Sequence, residues 1–268
     1  MDEGIRAFYE LGEERDRLST WGWLEFARTK ELLRRHLPPP PARVLDVGGG
    51  PGAYAQWLAS SGYGVHLIDP VPLHVEQAAA AARAADRPFT AAQGDARSLE
   101  EDACSFDAVL LLGPLYHLID HAERVAALTE AARVLTAGGV VAAAAISRFA
   151  SIVDGLARGL LLHPEFESIV EKDLRSGEHR NPTDLPHAFT TSFFHRPEDL
   201  AAEVAEAELD LVALYGIEGP AGWFAPPTPP EEGAPEYERL LWVARAVEQE
   251  PALLGASAHL LAVARKLA

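Results

Sequence analysis

One cysteine, Cys104, stands in 268 residues, so no disulfide can form within the chain. Without that staple the fold must rest on its apolar core, and a reducing compartment, the cytoplasm, is the expected location. Lysine is nearly missing: Lys30, Lys172 and Lys266 are all there are, and arginine fills the other cationic positions. No apolar run approaches the roughly 18 residues of a membrane span. The N-terminus is polar from its second residue, so no secretory leader is expected. Positive charge is scarce overall, with 23 Lys and Arg against 40 Asp and Glu and a formal net charge of −17. Such a surface repels nucleic-acid phosphates and anionic membranes, and neither is expected as a partner. The acid is concentrated between 197 and 250, where 13 Asp and Glu face 2 Arg, and reads as solvated helix faces. A metal-ligand spacing is also lacking. His163, His179, Arg180 and His187 share one stretch without a ligand pattern, and no metal is expected.

What the chain does have is apolar residues, 48% of the total, enough for one large domain with an insertion. Residues 1–41 read as a helical cap segment: an amphipathic start through Ile5, Phe8, Tyr9 and Leu11, a helix from Trp23 to Leu37, then a stiff Pro38–Pro41 linker. Residues 42–147 alternate strand and helix. The strands expected are Val44–Val47, Gly64–Ile68, Phe89–Gln93, Phe106–Leu112 and Val140–Ile146. The fourth is apolar at every position but Asp107, as a strand buried on both faces requires. Asp120 with Glu123 has the spacing of a capping box, and Gly138-Gly139 is expected to end that helix. Residues 148–196 break the rhythm and read as an inserted helical lid. Residues 197–268 return to the core, closing with His259–Lys266, which has no crossover room and should insert antiparallel. The expected fold is α/β: a doubly wound, mostly parallel seven-stranded sheet.

The strongest local signal is Val44-Leu45-Asp46-Val47-Gly48-Gly49-Gly50-Pro51-Gly52. Such a turn lets a ligand approach the main chain, and the next helix aims its amides at an anion. Two ligands fit. Gly48-x-Gly50-x-x-Ala53 satisfies a dinucleotide fingerprint, which would make the chain an NAD-dependent oxidoreductase. Gly48-x-Gly50-x-Gly52 after Asp46 satisfies an S-adenosylmethionine pattern, in which the carboxylate helps to receive an ammonium group. Further motifs follow in order: Val65-His66-Leu67-Ile68-Asp69, Gln93-Gly94-Asp95-Ala96, Phe106 to Gly113, and Leu135-Thr136-Ala137-Gly138-Gly139. With these, residues 40–147 resemble the class I S-adenosylmethionine-dependent methyltransferases. Gly113-Pro114-Leu115-Tyr116-His117-Leu118 and Thr190 to Leu200 look like a bacterial subgroup that includes natural-product enzymes acting on small molecules.

The resemblance implies S-adenosylmethionine as cofactor and S-adenosylhomocysteine as product. It implies a binding set of Asp46, Gly48, Gly49, Gly50, Gly52, Asp69, Pro70, Asp95, Ala96, Leu112, Gly113 and His117, with Asp69 on the ribose hydroxyls and Asp95 facing the adenine amino group. Methyl transfer to a small molecule through O, N or C is the expected activity. A non-catalytic or non-methylating binder on the same fold, such as a cyclase or an accessory subunit, is the alternative. A base is needed only if the acceptor keeps its proton, and three residues are candidates. His117 lies just past strand four, His195 follows the lid, and Tyr9 lies near Glu13, Arg17 and Trp21. Each also has a plain packing role open to it. Trp21, Trp23, Phe149, Phe166, Phe189, Phe193, Phe194 and Trp223 either line an apolar acceptor pocket or glue the covering segments down. A monomer or a homodimer fits equally.

Overall fold

The computed structural model describes residues 3–12, 14–181 and 189–267; Glu13 and His187 lie outside them. The N-terminal segment holds helices α1 (Glu3–Glu10), α2 (Glu14–Arg17) and α3 (Trp23–His36). The core then runs β1 (Arg43–Val47), α4 (Ala53–Ser60), β2 (Gly64–Asp69), α5 (Pro72–Ala84), β3 (Thr90–Gln93), β4 (Phe106–Leu111), α6 (His121–Val134) and β5 (Leu135–Ser147). The inserted segment carries α7 (Ala150–Ala157), α8 (Pro164–Ser176), β6 (Glu178–His179) and β7 (Ser192–His195). The chain closes with α9 (Pro197–Glu206), β8 (Leu209–Gly216), α10 (Pro235–Val247) and β9 (His259–Lys266).

The nine-stranded sheet runs β3-β2-β1-β4-β5-β9-β8, with β7 and β6 continuing it beside the end of β5; β9 runs antiparallel to β5 and β8, β6 runs antiparallel to β7, and the other pairings are parallel. The doubly wound, mostly parallel architecture is therefore present, with the antiparallel strand where it was expected. Each central strand is buried on both faces, and its side chains alternate between two cores. Leu45, Val109, Val141 and Leu260 face α6 and α9, where Leu128 and Leu200 meet them. Val44, Leu110, Val140 and Leu261 face α3, α4 and α5, against Leu33, Leu58 and Ala78. At roughly 25 cal/mol per Å² of apolar area, these two layers dominate the stability of the domain.

Three expectations are corrected. The helix begun at Asp120 ends at Val134, and Leu135 already belongs to β5. The reason is a shift in the burial stripe: Ala127, Leu128, Ala131 and Val134 face the core, and Leu135 pairs with Phe106 across a bulge. Asp120 does cap the helix, its Oδ1 accepting from the Ala122 amide at 2.7 Å, but Glu123 accepts from Arg97 instead of completing a box. The inserted segment is not wholly helical either. Its helices share a small core around Phe166 and Val170, and its end returns as β7, parallel to the last residues of β5. No helix among the described residues is long and apolar enough to cross a membrane.

Candidate functional site

The glycine turn follows β1, at the carboxyl edge of the sheet where open α/β sheets bind ligands. At Gly48 the backbone takes φ +70°, and an added Cβ would lie 2.7 Å from Pro114 Cγ. At Gly49 a Cβ would meet the Asp46 carboxylate at 2.6 Å. Glycine is thus required here by close packing of the protein against itself as well as by turn conformation. The turn is held by Asp69 at the end of β2. Its Oδ2 accepts from the Gly50 amide at 2.9 Å, while Oδ1 accepts from the Val71 amide at 2.9 Å and lies 3.1 Å from His74 Nδ1.

Above this turn lies a cavity of about 700 Å³, within the range of small-molecule sites. All twelve binding residues expected from the sequence line it, from Asp46 to His117. Asp46 is fully buried, and neither carboxylate oxygen has a hydrogen-bond partner. Burial, and then the nearby charge of Asp69, push its pKa up to about 7. Asp95 also lines the cavity and is bound to Arg97 through paired contacts of 2.9 and 2.6 Å.

The N-terminal segment closes the cavity from above. Tyr9 on α1 reaches His117, 108 residues away, with Oη 2.6 Å from Nε2. His117 Nδ1 is 3.4 Å from the Thr191 carbonyl oxygen, which can only accept. The ring proton therefore belongs on Nδ1, and Nε2 is free to accept from the Tyr9 hydroxyl. Burial pulls the His117 pKa down to about 4 and pushes those of Tyr9 and Tyr116 up, so all three are uncharged at neutral pH. Behind them Arg17 donates to Glu14 at 2.7 Å and to Glu25 at 2.5 and 3.2 Å. Glu25, Glu218 and His259 bring three possible metal ligands within 4.8 Å of one another. Burial disfavours the His259 cation, but Glu25 and Glu218 outweigh it and raise its pKa to about 9. The cluster is satisfied as an ion-pair network with Arg17.

Residues 44–139 match the methyltransferase domain family. An uncharacterized methyltransferase of Mycobacterium bovis is 33% identical over 187 residues, covering 69% of this chain and 70% of that protein. The chain belongs to the class I S-adenosylmethionine-dependent methyltransferase family. A ubiquinone biosynthesis O-methyltransferase of Methylocella silvestris is 33% identical over 124 residues, 45% of this chain and 47% of that one. The fold is shared with a methyltransferase structure from Methanosarcina mazei at TM-score 0.59 and 20% identity, over 88% of this chain and 97% of the other.

In this methyltransferase the three acid–base candidates do not converge. Tyr9 and His117 meet at the cavity, whereas His195 does not line it. It is fully buried on β7, with Nε2 3.1 Å from Glu203, whose other oxygen accepts from Arg124 at 2.7 Å. A strand alternates faces, so the side chain after Phe194 is turned toward α9, away from the ligand. We expect His195→Asn to lower stability by roughly 1–2 kcal/mol through lost hydrogen bonding. Urea denaturation would register this, while calorimetry should find S-adenosylhomocysteine binding unchanged; weakened binding would restore His195 to the site.

The aromatic residues act mainly as glue. Trp23 stacks on Tyr237, Phe194 on His179, and Phe193 lies under the Arg124 guanidinium. Phe166 belongs to the core of the inserted segment, and Phe149 faces Arg196. Trp21 lies beneath Arg17, and the Trp223 indole donates to the Ala256 carbonyl. Phe189 alone among those named approaches the site, its ring 5.8 Å from His117. Sequence reasoning missed His74, Glu14, Glu25 and Tyr54, all on the cavity wall. His74 carried a usable signal, standing one helical turn after the Asp69 motif; the others are visible only once distant segments meet.

Proposed function

We propose that this methyltransferase methylates a neutral small molecule whose nucleophilic atom carries a proton, an O–H or an N–H, with Tyr9 and His117 as its acid–base pair. The carrying observation is the 2.6 Å contact between Tyr9 Oη and His117 Nε2 on the wall shared with the glycine turn. The cofactor, when bound, supplies a methyl group on a sulfonium, whose C–S bonding electrons stay with sulfur. The residues present fit it. The orphaned Asp46 carboxylate suits an ammonium group, and Asp69, already serving the Gly50 amide, retains lone pairs for sugar hydroxyls. Pro70, Ala96, Leu112 and Gly113 form the remaining wall, with Asp95 at the base end.

The acceptor's proton passes to Tyr9 Oη as the tyrosine's own proton passes to His117 Nε2. The electron pair stays on the acceptor atom, which takes the methyl group. A histidine with a pKa near 4 is a weak base at rest but a sufficient one for an oxygen or nitrogen turning cationic. An aromatic or apolar acceptor is favoured by Tyr9, Phe26, Tyr54 and Tyr116 on the cavity wall. The net charge of −17 argues against a nucleic-acid acceptor. The sequence likeness to natural-product enzymes favours a role in secondary metabolism.

Labelled methyl transfer to a panel of phenols, amines and RNA tests this. With the accepted small molecule, Tyr9→Phe should lower kcat by about 10²-fold. At saturating cofactor the wild-type kcat should stay flat from neutral pH down to about pH 5 and fall near the His117 pKa of about 4, while the KM for the cofactor rises below pH 7 as Asp46 takes up its proton. Transfer to RNA alone, or full activity in Tyr9→Phe, would overturn the reading.

A further inference from the structure

The inserted segment buries an acid and a histidine that the acid–base pair does not use. Asp173 on α8 is fully buried, and His179 on β6 is almost so. His179 Nδ1 lies 2.8 Å from Asp173 Oδ2, and Nε2, across the ring, lies 3.2 Å from the Phe189 carbonyl oxygen. A carbonyl can only accept, so Nε2 carries a proton, and Asp173 fixes the other nitrogen. The ring is stacked on Phe194 at 4.9 Å and 16°. Stability alone does not account for the pair. A buried carboxylate is costly, and Asp173 Oδ1 has no hydrogen-bond partner.

The carbonyl that His179 grips opens a stretch that reaches His117. The Phe189 ring lies 5.8 Å from that of His117 and 5.5 Å, edge-on, from Phe8. Two residues later the Thr191 carbonyl oxygen is 3.4 Å from His117 Nδ1. At that length the bond is near its limit, so a small drift of the stretch breaks it. His117 lines the cavity, but Asp173, His179, Phe189 and Thr191 do not.

We propose that His179, oriented by Asp173, is a positioning residue for methyl transfer: its bond to the Phe189 carbonyl sets residues 189–191 so that Thr191 selects the form of His117 protonated on Nδ1. Only that neutral form keeps a lone pair on Nε2 to take the Tyr9 proton as Tyr9 takes the acceptor's. With the proton on Nε2 instead, the 2.6 Å contact with Tyr9 persists but the transfer stops. The competent fraction of the enzyme, and with it kcat, therefore follows the tautomer. The inference rests on Tyr9 and His117 being the acid–base pair.

His179→Phe keeps a ring to stack on Phe194 and removes both hydrogen bonds. It should lower kcat by about 3- to 10-fold while S-adenosylhomocysteine affinity, read by calorimetry, stays within about twofold. Nitrogen NMR of isotope-labelled histidines should find the His117 proton shared between Nδ1 and Nε2, where the wild type holds it on Nδ1. His179→Gln, whose amide can still donate to the Phe189 carbonyl, should recover most of the loss. Should His179→Phe fail to fold, His179→Met takes its place, with glutamine's length and no N–H. A folded variant with wild-type kcat and an unmoved tautomer would overturn the proposal. So would a loss that glutamine does not recover, or one that falls equally on cofactor affinity. Full activity in Tyr9→Phe would instead reject the acid–base pair itself.

Discussion

In the absence of ligand at pH 8, Asp46→Asn should be more stable than the wild type, by roughly 2 kcal/mol or more. The Asp46 carboxyl is fully buried without a partner, and its pKa stands near 7 against an ordinary 3.8. The folded chain therefore holds that proton more tightly than the unfolded chain does. The sign follows: the contribution is complete below about pH 4 and is lost as pH rises toward 7. Beyond that the charged carboxylate costs the fold on the order of 4 kcal/mol, part of which asparagine recovers after its own amide is buried. Urea denaturation at pH 4 and pH 8 checks this. The two proteins should be close at pH 4 and diverge at pH 8. The same substitution should weaken S-adenosylhomocysteine binding by at least about tenfold, since a neutral amide is a poorer partner for ammonium. An asparagine variant that is less stable at pH 8 and binds normally would mean that Asp46 is neither strained nor functional.

Asp69→Ala should have the opposite effect on stability, and a larger one on binding. Asp69 satisfies the buried amides of Gly50 and Val71 and steadies the His74 ring. Removing it strands two buried donors at about 1–3 kcal/mol each, a loss of roughly 3–5 kcal/mol in all. The Gly50 amide is also the tether of the ligand turn, so binding falls twice, through the lost sugar contact and through a loosened turn. S-adenosylhomocysteine affinity should drop by more than about 10³-fold. Asp69→Asn keeps one acceptor oxygen and should recover part of the stability but little of the affinity. Equal stability for Asp69→Ala and the wild type would show that the glycine turn does not depend on this carboxylate.

Much of this molecule is legible in one dimension because its determinants are local. The apolar run Ala108–Leu111 forms a doubly buried stretch of strand, since nothing else accommodates such a run in water. The glycine turn and the acids at the ends of β1 and β2 lie on one edge because parallel strands bring their carboxyl ends together. That is why a set of twelve positions inferred from motifs lines one cavity. The end of α6 was misjudged because Gly138-Gly139 resembles a helix stop, while the burial stripe had already run out at Val134.

Pairings across the chain were not legible. The acids between 197 and 250 read as solvated, yet Glu203 and Glu218 are buried against Arg124, His195 and His259, and Glu248 binds Arg28 and Arg35. A carboxylate enters a core only where a cation meets it, and that cation can come from any segment. His117 and His195 looked alike in sequence, each near the end of a strand. Sequence by itself determined the sheet, the glycine turn and its two acids, because hydrophobic period and backbone freedom are properties of neighbouring residues. Only the tertiary structure decided that Tyr9 joins His117 and that His195 turns inward, because those choices depend on which distant surfaces exclude water together.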